Sequence, residues 1–387
     1  MARKADELRD FQAQQAAYLR GRHKMRQEEI GLVLGGLSQS HVSRLLARAE
    51  RMGWLVTELR FVETGIAESA LEQIRHLLEP QTLMQALETL VDRLGGEVPH
   101  VAVFDSGGEG TTLAAMDMRR RRLGQAAAGR LDELLQNART IGVAWGRMVS
   151  ALIDGLAEQR RRARKADAML LAPLCAELVD LPASDCSSSR LAERLCGILG
   201  EGASEPLSLA GVPAYVPRHY SKEKAEVLWE YVRDSLSYRR IFAGDRPLVD
   251  DLDCVLTSIG STTAPVHGGT AGLLAAGGVD IDRLRSLVLG DIGGALVPKP
   301  DLCREDAALV AELSRMWTGV DLDHFRTIAA RARRDETRPG AVVIALGRDK
   351  APVLLALIRG ALINELIIDR DLARELERLA RAEREMS

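Results

Sequence analysis

Aromatic side chains, paired cysteines and long apolar runs are all scarce in this sequence. Phe, Trp and Tyr make up 4% of its 387 residues, so a core must be built mainly from Leu, Val, Ile and Ala. The five cysteines (Cys175, Cys186, Cys196, Cys254, Cys303) are an odd set with no C-x-x-C pair. That argues against a disulfide framework or zinc site and fits a reducing cytoplasm, the expected location. The seven histidines are scattered without metal-ligand spacing, so neither metal nor cofactor is expected. No apolar run reaches the roughly 18 residues of a membrane span, which argues against a membrane partner. The opening MARKADELRDFQAQQ lacks the apolar segment of a signal peptide.

What is present is an ordinary globular mixture, 46% hydrophobic and 28% charged, in a chain long enough for at least two domains. Charge is unevenly spread. The whole chain carries −3, but Met1–Arg60 holds eleven Lys/Arg against seven Asp/Glu, a net +4 that leaves −7 for the rest. A basic head on an acidic body is the asymmetry expected when one part meets a polyanion.

Within the head, Glu7–Arg20 reads as a helix with Leu8, Phe11, Gln15, Tyr18 and Leu19 near one face. A second helix is expected over Arg26–Leu34, where Ile30, Val33 and Leu34 supply the apolar contacts. Gly35 and Gly36 then allow a tight turn. Ser38 is placed to cap a third helix running to about Met52; Gly53 ends it, and WLVTELRFV alternates like a short strand or wing. In the third helix Val42, Leu45, Leu46 and Ala49 recur at i, i+3, i+4 and i+7, a buried stripe. His41, Arg44, Arg48 and Arg51 lie opposite, and Gln39, Ser40 and Ser43 occupy the N-terminal half. In a helix-turn-helix that half meets base edges in the major groove. Gln pairs with adenine and Arg with guanine, while other cations meet phosphates. The plainer alternative is a three-helix bundle with a solvated arginine face. The order of helix, glycine turn, capped cationic helix and wing favours double-stranded DNA, with Gln39, Ser40, His41, Ser43, Arg44 and Arg48 as contacts.

From Ala67 to Leu94 the sequence is strongly helical with a break at Pro80, suiting a linker or oligomerisation segment. Beyond Gly95, HVAVFDS, TIGVAWG, AMLLAPL, DCVLTSIG, SLVLGDIG, AVVIALG and LINELIIDR read as strands. Most are separated by amphipathic helical stretches such as RLGQAAAGRLDELLQ, SRLAERLCGIL, AEVLWEYVRDSL and APVLLALIRGAL. This alternation predicts an α/β fold: a Rossmann-like, mostly parallel sheet covered on both faces. The expected division is a winged helix-turn-helix head over 1–62, a helical linker over 63–95, and an α/β effector domain over 96–387. Two short basic runs, RRRRLG (Arg119–Gly124) and EQRRRARK (Glu158–Lys165), stand out from the body.

The stretch RQEEIGLVLGGLSQSHVSRLLARAERMGWL resembles the N-terminal region of the SorC family of sugar-responsive bacterial transcription regulators. Gln27, Glu29, Ile30, Val42, Ser43, Arg44, Leu45, Leu46, Ala49 and Gly53 match its pattern, and Gly31 replaces the usual alanine. In the body, IGVAWGR (Ile141–Arg147), LGDIGG (Leu289–Gly294) and ALGRDKAPVLLALIRGALINELIIDRDLA resemble three further family segments in the same order. The resemblance implies a tetramer built from dimers, and a body that binds phosphorylated sugars on a fold similar to phosphosugar isomerases and deaminases.

The residues agree chemically. A glycine turn that opens a helix aims backbone N–H groups at an anion, here Gly146 and Arg147. Lys350, after the Gly347 turn, adds a point charge. Asp291 can accept hydrogen bonds from sugar hydroxyls, and Gly260 and Ser261 form another wall. Each has a plainer alternative: the glycines as turns, Lys350 paired with Asp349, Asp291 as a cap. Trp145 reads as core rather than ligand platform. Two departures bear on the ligand: Met148 stands where the family has Thr, and GRDK replaces paired glycines. The reading is therefore a non-enzymatic regulator with a sugar or sugar-phosphate effector, operator DNA as partner, and self-association to a dimer or tetramer. An isomerase- or deaminase-type enzyme with an appended head is the alternative; a purely architectural DNA-binding oligomer ranks third.

Overall fold

The computed structural model describes residues 2–55, 68–107, 112–159, 169–177, 186–200, 206–217, 220–263, 274 and 278–386, with backbone alone at 2–8, 68–79 and 384–386. The chain separates into two compact units, Met1–Glu72 and Gln73–Ser387.

In the first unit, α1 (Ala2–His23), α2 (Gln27–Val33) and α3 (Gln39–Arg51) enclose a small core. Val42, Leu45, Leu46 and Ala49 of α3 form its centre with Ile30 and the three alanines Ala13, Ala16 and Ala17 of α1. The face of α1 differs from the expected one: Phe11 and Tyr18 are exposed, as is Val33 of α2. The physical reason is close helix approach, since alanine lets two backbones come together where an aromatic ring would hold them apart. Ser38 Oγ accepts the His41 N–H and caps α3. The turn before it is tight, with the Gly31 carbonyl accepting both the Gly36 and Leu37 amides. A Cβ at Gly31 would collide with the Leu37 carbonyl, which is why glycine stands where the resembled pattern has alanine. The expected wing WLVTELRFV (Trp54–Val62) lies outside the described residues beyond Leu55.

The second unit is an α/β structure. Its strands are β1 (His100–Phe104), β2 (Thr140–Val143), β3 (Leu170–Pro173), β4 (Cys254–Ser261), β5 (Val288–Ile292), β6 (Ala295–Pro298), β7 (Gly340–Ala345) and β8 (Glu365–Asp369). Six of them form a parallel sheet in the order β1-β8-β7-β4-β2-β3. Side chains alternate across it with period two. Cys254, Leu256, Val342, Ile344 and Ile367 face one core, shared with α5 (Leu113–Leu135), α6 (Arg147–Gln159) and α7 (Ser188–Leu199). Val255, Ala341, Val343, Leu366 and Ile368 face the other. That second core is shared with α4 (Glu68–Leu94) and with three helices that follow the hairpin and the last strands: Leu322–Arg334, Ala351–Arg359 and Arg370–Met386.

Two expectations are corrected. The segment SLVLGDIG does not join the parallel sheet. β5 runs antiparallel to the C-terminal half of β4 and folds back on β6, a strand the sequence did not disclose. The short Gly293–Gly294 turn accounts for the β5–β6 pair, because consecutive strands joined so tightly can only be antiparallel. Nor does Pro80 break α4. Proline inside a helix costs about 3 kcal/mol, but burial of Leu83, Leu87 and Leu90 contributes about 1.5–3 kcal/mol each and outweighs it.

Among the described residues, no helix is long and apolar enough to cross a membrane.

Candidate functional site

On the head, Gln39, Ser40, Ser43 and Arg44 are exposed at the start of α3, with His41 half-buried beside them. Ser38 Oγ and Ser40 Oγ lie 3.1 Å apart, and Arg44 Nε donates to the Ser40 carbonyl at 3.3 Å. The first turn of α3 is thus preorganised by its own cap and presents amide, hydroxyl and guanidinium groups together. Arg48 is situated differently. It is half-buried, and its Nε donates to Asp10 Oδ1 of α1 at 2.6 Å. Its charge serves the bundle as well as any ligand.

On the body, the carboxyl ends of β2 and β4 mark the place where the winding reverses. From β2 the chain moves outward to β3; from β4 it proceeds by way of β7 to β8 on the other side. Open α/β sheets bind ligands at such a point. Gly146 sits there with φ +135°, where a Cβ would stand 2.5 Å from Ser258 Oγ. The hairpin turn folds over the same place: Gly293 N–H donates to the Ser258 carbonyl at 3.1 Å. Asp291, one residue before the end of β5, lays its carboxylate against Gly260 in the space a side chain there would fill. Gly146, Ser258, Gly260, Asp291 and Gly293 therefore converge. Ser258 and Gly293 were not singled out from sequence; their signal was only their position at strand ends.

Arg147 opens α6 beside this cluster, exposed and without an ion pair among the described residues. Arg120 of α5, from the basic run RRRRLG, lies near enough that burial and then the Arg147 charge depress its pKa. Arg120 is itself ion-paired with Asp117, so the positive charge of this corner comes from Arg147 and the N-terminus of α6. Trp145 packs against a small core that includes Trp317, Val212 and Ile241. Its Nε1 is buried with no hydrogen-bond partner among the described residues.

The remaining expected residues have internal partners. Asp291 Oδ1 accepts the Gly294 N–H at 3.1 Å, bracing the hairpin turn. Ser261 Oγ and Thr263 Oγ1 are 2.6 Å apart. Lys350 Nζ is 2.7 Å from Asp349 Oδ2, the pairing that the plainer reading anticipated. Gly347, at φ +100°, donates its N–H to Asp369 Oδ1 at 3.0 Å. Asp369 is fully buried at the end of β8, where Arg119 reaches it at 2.7 Å and Ser106 Oγ donates to it at 3.3 Å. Burial raises the Asp369 pKa despite these donors. The network fixes the β1, β7 and β8 ends and so sets the Gly347–Lys350 loop on the β8 side of β4. Met148, the replacement for threonine, is buried in the α5–α7 core and presents no group to a ligand.

No protein-family model matches this sequence, and a search among curated proteins returns no match. Solved structures do share the fold. The full-length sorbitol operon regulator SorC from Klebsiella pneumoniae superposes with a TM-score of 0.54 at 19% identity, covering 94% of this chain and 97% of that one. A probable sor operon regulator from Shigella flexneri gives 0.53 at 21% identity, covering 77% and 99%. A transcriptional regulator from Streptococcus pneumoniae gives 0.52 at 15%, covering 79% and 99%. At such identities the likeness establishes the architecture, a helical head followed by a mostly parallel α/β body.

Proposed function

We propose that this chain is a ligand-responsive transcription regulator: α3 reads operator DNA, and a sugar or sugar phosphate bound at the β2–β4 corner sets how well it does so. The observation that carries the reading is the capped first turn of α3, which holds Gln39, Ser40, Ser43 and Arg44 exposed together. Those residue types match base edges and phosphates, and the N-terminal turn of a recognition helix is where they are needed. The operon regulators named above share the fold and support the same reading.

For the effector, the support is chemical. Arg147 and the N-terminal turn of α6, with Arg120 and its Asp117 partner nearby, suit a phosphate or another anion. Asp291 and Ser258 suit hydroxyls, and Trp145 Nε1, unpartnered among the described residues, suits an acceptor oxygen. A helix-turn-helix works in pairs on two half-sites, so the chain acts as a dimer or tetramer. The effector acts by binding one arrangement of the pair better than another.

The enzymatic alternative asks Asp291 to serve as a base. Its engagement with the Gly294 N–H fits a bracing role better, and the sensor reading is the one we adopt.

Electrophoretic shift of genomic fragments, repeated with a panel of sugars and sugar phosphates, tests the proposal. Sequence-selective, salt-sensitive binding that changes with one effector is expected. Binding that is never sequence-selective, or turnover of a panel member, overturns it.

A further inference from the structure

The chain has five tyrosines, and four of them fall between Tyr215 and Tyr238. That crowding, in a protein poor in aromatics, directs attention to α8 (Lys222–Asp234). Val232 is its one fully buried residue, whereas Val227 and Tyr231 are 65% and 57% exposed. Leu236, just beyond its end, is 82% exposed.

Exposed apolar residues on one helix need not form a surface, but these have a period. Lys224, Val227, Tyr231 and Asp234 recur at spacings of three, four and three, the a/d seam of a two-helix coiled coil. All four are exposed. The apolar pair stands at the centre of the stripe and a charge of opposite sign at each end. Neither Lys224 nor Asp234 has an ion pair among the described residues. Each also sits at the helix end whose dipole disfavours its charge.

The stripe is self-complementary in a specific register. About a two-fold axis level with Trp229, an antiparallel copy sets Val227 against the partner's Tyr231, because both are two residues from 229. The same axis sets Lys224 against the partner's Asp234, because both are five residues from it. One operator thus satisfies the apolar and the ionic pairs together, as an isologous interface requires. The dipole conflict disappears as well, since each charge then meets the opposite end of the neighbouring helix. Tyr231 is already held in place: its Oη donates to the Gly211 carbonyl at 3.4 Å. On the adjoining face Arg233 lies over the Trp229 ring, 5.3 Å from its centroid. An aromatic anchor fixed before association loses little freedom on binding.

We infer that α8 is a self-association surface, pairing antiparallel with α8 of a second copy of this chain through Lys224, Val227, Tyr231 and Asp234. The inference deepens the self-association part of the proposed function and rests on it there alone. DNA and effector play no role in its test.

The test is the mass of the full chain in solution, by light scattering and sedimentation across a concentration series. The wild type is expected to be at least dimeric. Tyr231→Asp is expected to raise the dissociation constant about tenfold or more, as a charge placed in a packed seam does. Lys224→Glu and Asp234→Lys should each weaken association, and the two together should recover most of it, because the exchange restores the pair. All four side chains are exposed, so circular dichroism should be unchanged. If Tyr231→Asp disturbs the fold, the charge exchange still decides. An oligomeric wild type that Tyr231→Asp leaves intact, or a double exchange no better than its singles, overturns the inference and leaves the DNA reading standing. A monomeric wild type at every concentration overturns self-association altogether.

Discussion

Arg48 of α3 and Asp10 of α1 are joined at 2.6 Å, a charge on the candidate recognition helix held by a carboxylate of the helix behind it. Side-chain exposures of 29% and 32% limit what the pair adds to stability to about 1 kcal/mol or less. Its larger consequence is to hold a cation back from solvent. Asp10→Asn should therefore leave melting nearly unchanged while tightening DNA binding. The plot of log affinity against log salt should steepen by about one, the signature of one added phosphate contact. A salt titration of anisotropy on an operator fragment checks this, and an unchanged slope would show that Asp10 does not keep Arg48 from a phosphate.

Arg147→Ala separates ligand binding from folding. The side chain is exposed and makes no ion pair among the described residues, so the unliganded protein should melt as the wild type does. The thermal shift produced by an anionic effector should shrink, since a ligand stabilises in proportion to its affinity for the native state. A neutral sugar that stabilises both proteins equally would place the anion elsewhere.

Glycines in neighbouring helices should respond in opposite directions to the same substitution. α5 and α6 touch backbone to backbone, and a Cβ on Gly155 would collide with the Gly124 carbonyl. Gly155→Ala should cost about 2 kcal/mol or more. Gly197, inside α7, has nothing within 4 Å of its would-be Cβ. Gly197→Ala should instead stabilise by about 0.5–1 kcal/mol through helix propensity. Chemical denaturation of the two variants side by side measures both signs.

The cap of the helix Leu322–Arg334 carries a pH dependence. His324 Nδ1 lies 2.7 Å from Asp321 Oδ1. Burial alone would lower the His324 pKa, but the Asp321 carboxylate outweighs it and holds the imidazolium above its ordinary value. Burial would likewise raise Asp321, and the histidine overrides that to lower it. Stability from the raised histidine is fully present below about pH 6.5 and is lost as pH climbs through its higher folded value. Stability from the lowered aspartate is present above about pH 3.9 and is lost as pH falls through its lower folded value. His324→Gln should thus destabilise most between about pH 4 and 6.5 and little at pH 8. Melting curves of both proteins across that range check the window; a difference that grows with pH would contradict it.

Much of this architecture was legible without coordinates because it rests on short-range chemistry. The buried stripe Val42–Leu45–Leu46–Ala49 and the Ser38 cap depend only on helical spacing and on a hydroxyl one turn from an amide. Seven of the eight described strands stood out as short apolar runs, since both faces of a covered sheet are apolar. Phe11 and Tyr18 show the limit of that method: hydrophobicity alone placed them toward a core, and the alanines beside them took the position by fitting more closely. Ser258 and Gly293 likewise carried no signal of their own, because a site is a meeting of strand ends rather than a motif.

Composition, periodicity and caps by themselves determined that this chain has a basic helical head and an α/β body, and which turn of α3 faces outward. The tertiary structure alone decided which charges remain available. It gave Arg48 to Asp10 and Lys350 to Asp349, and it brought Arg119 to Asp369 across a separation of 250 residues. It also turned β5 against β4 and carried α4 through Pro80. The reason is range. Helix and strand preferences are settled among near neighbours, whereas an ion pair, a sheet edge or a tolerated proline depends on whatever distant segment packs against it.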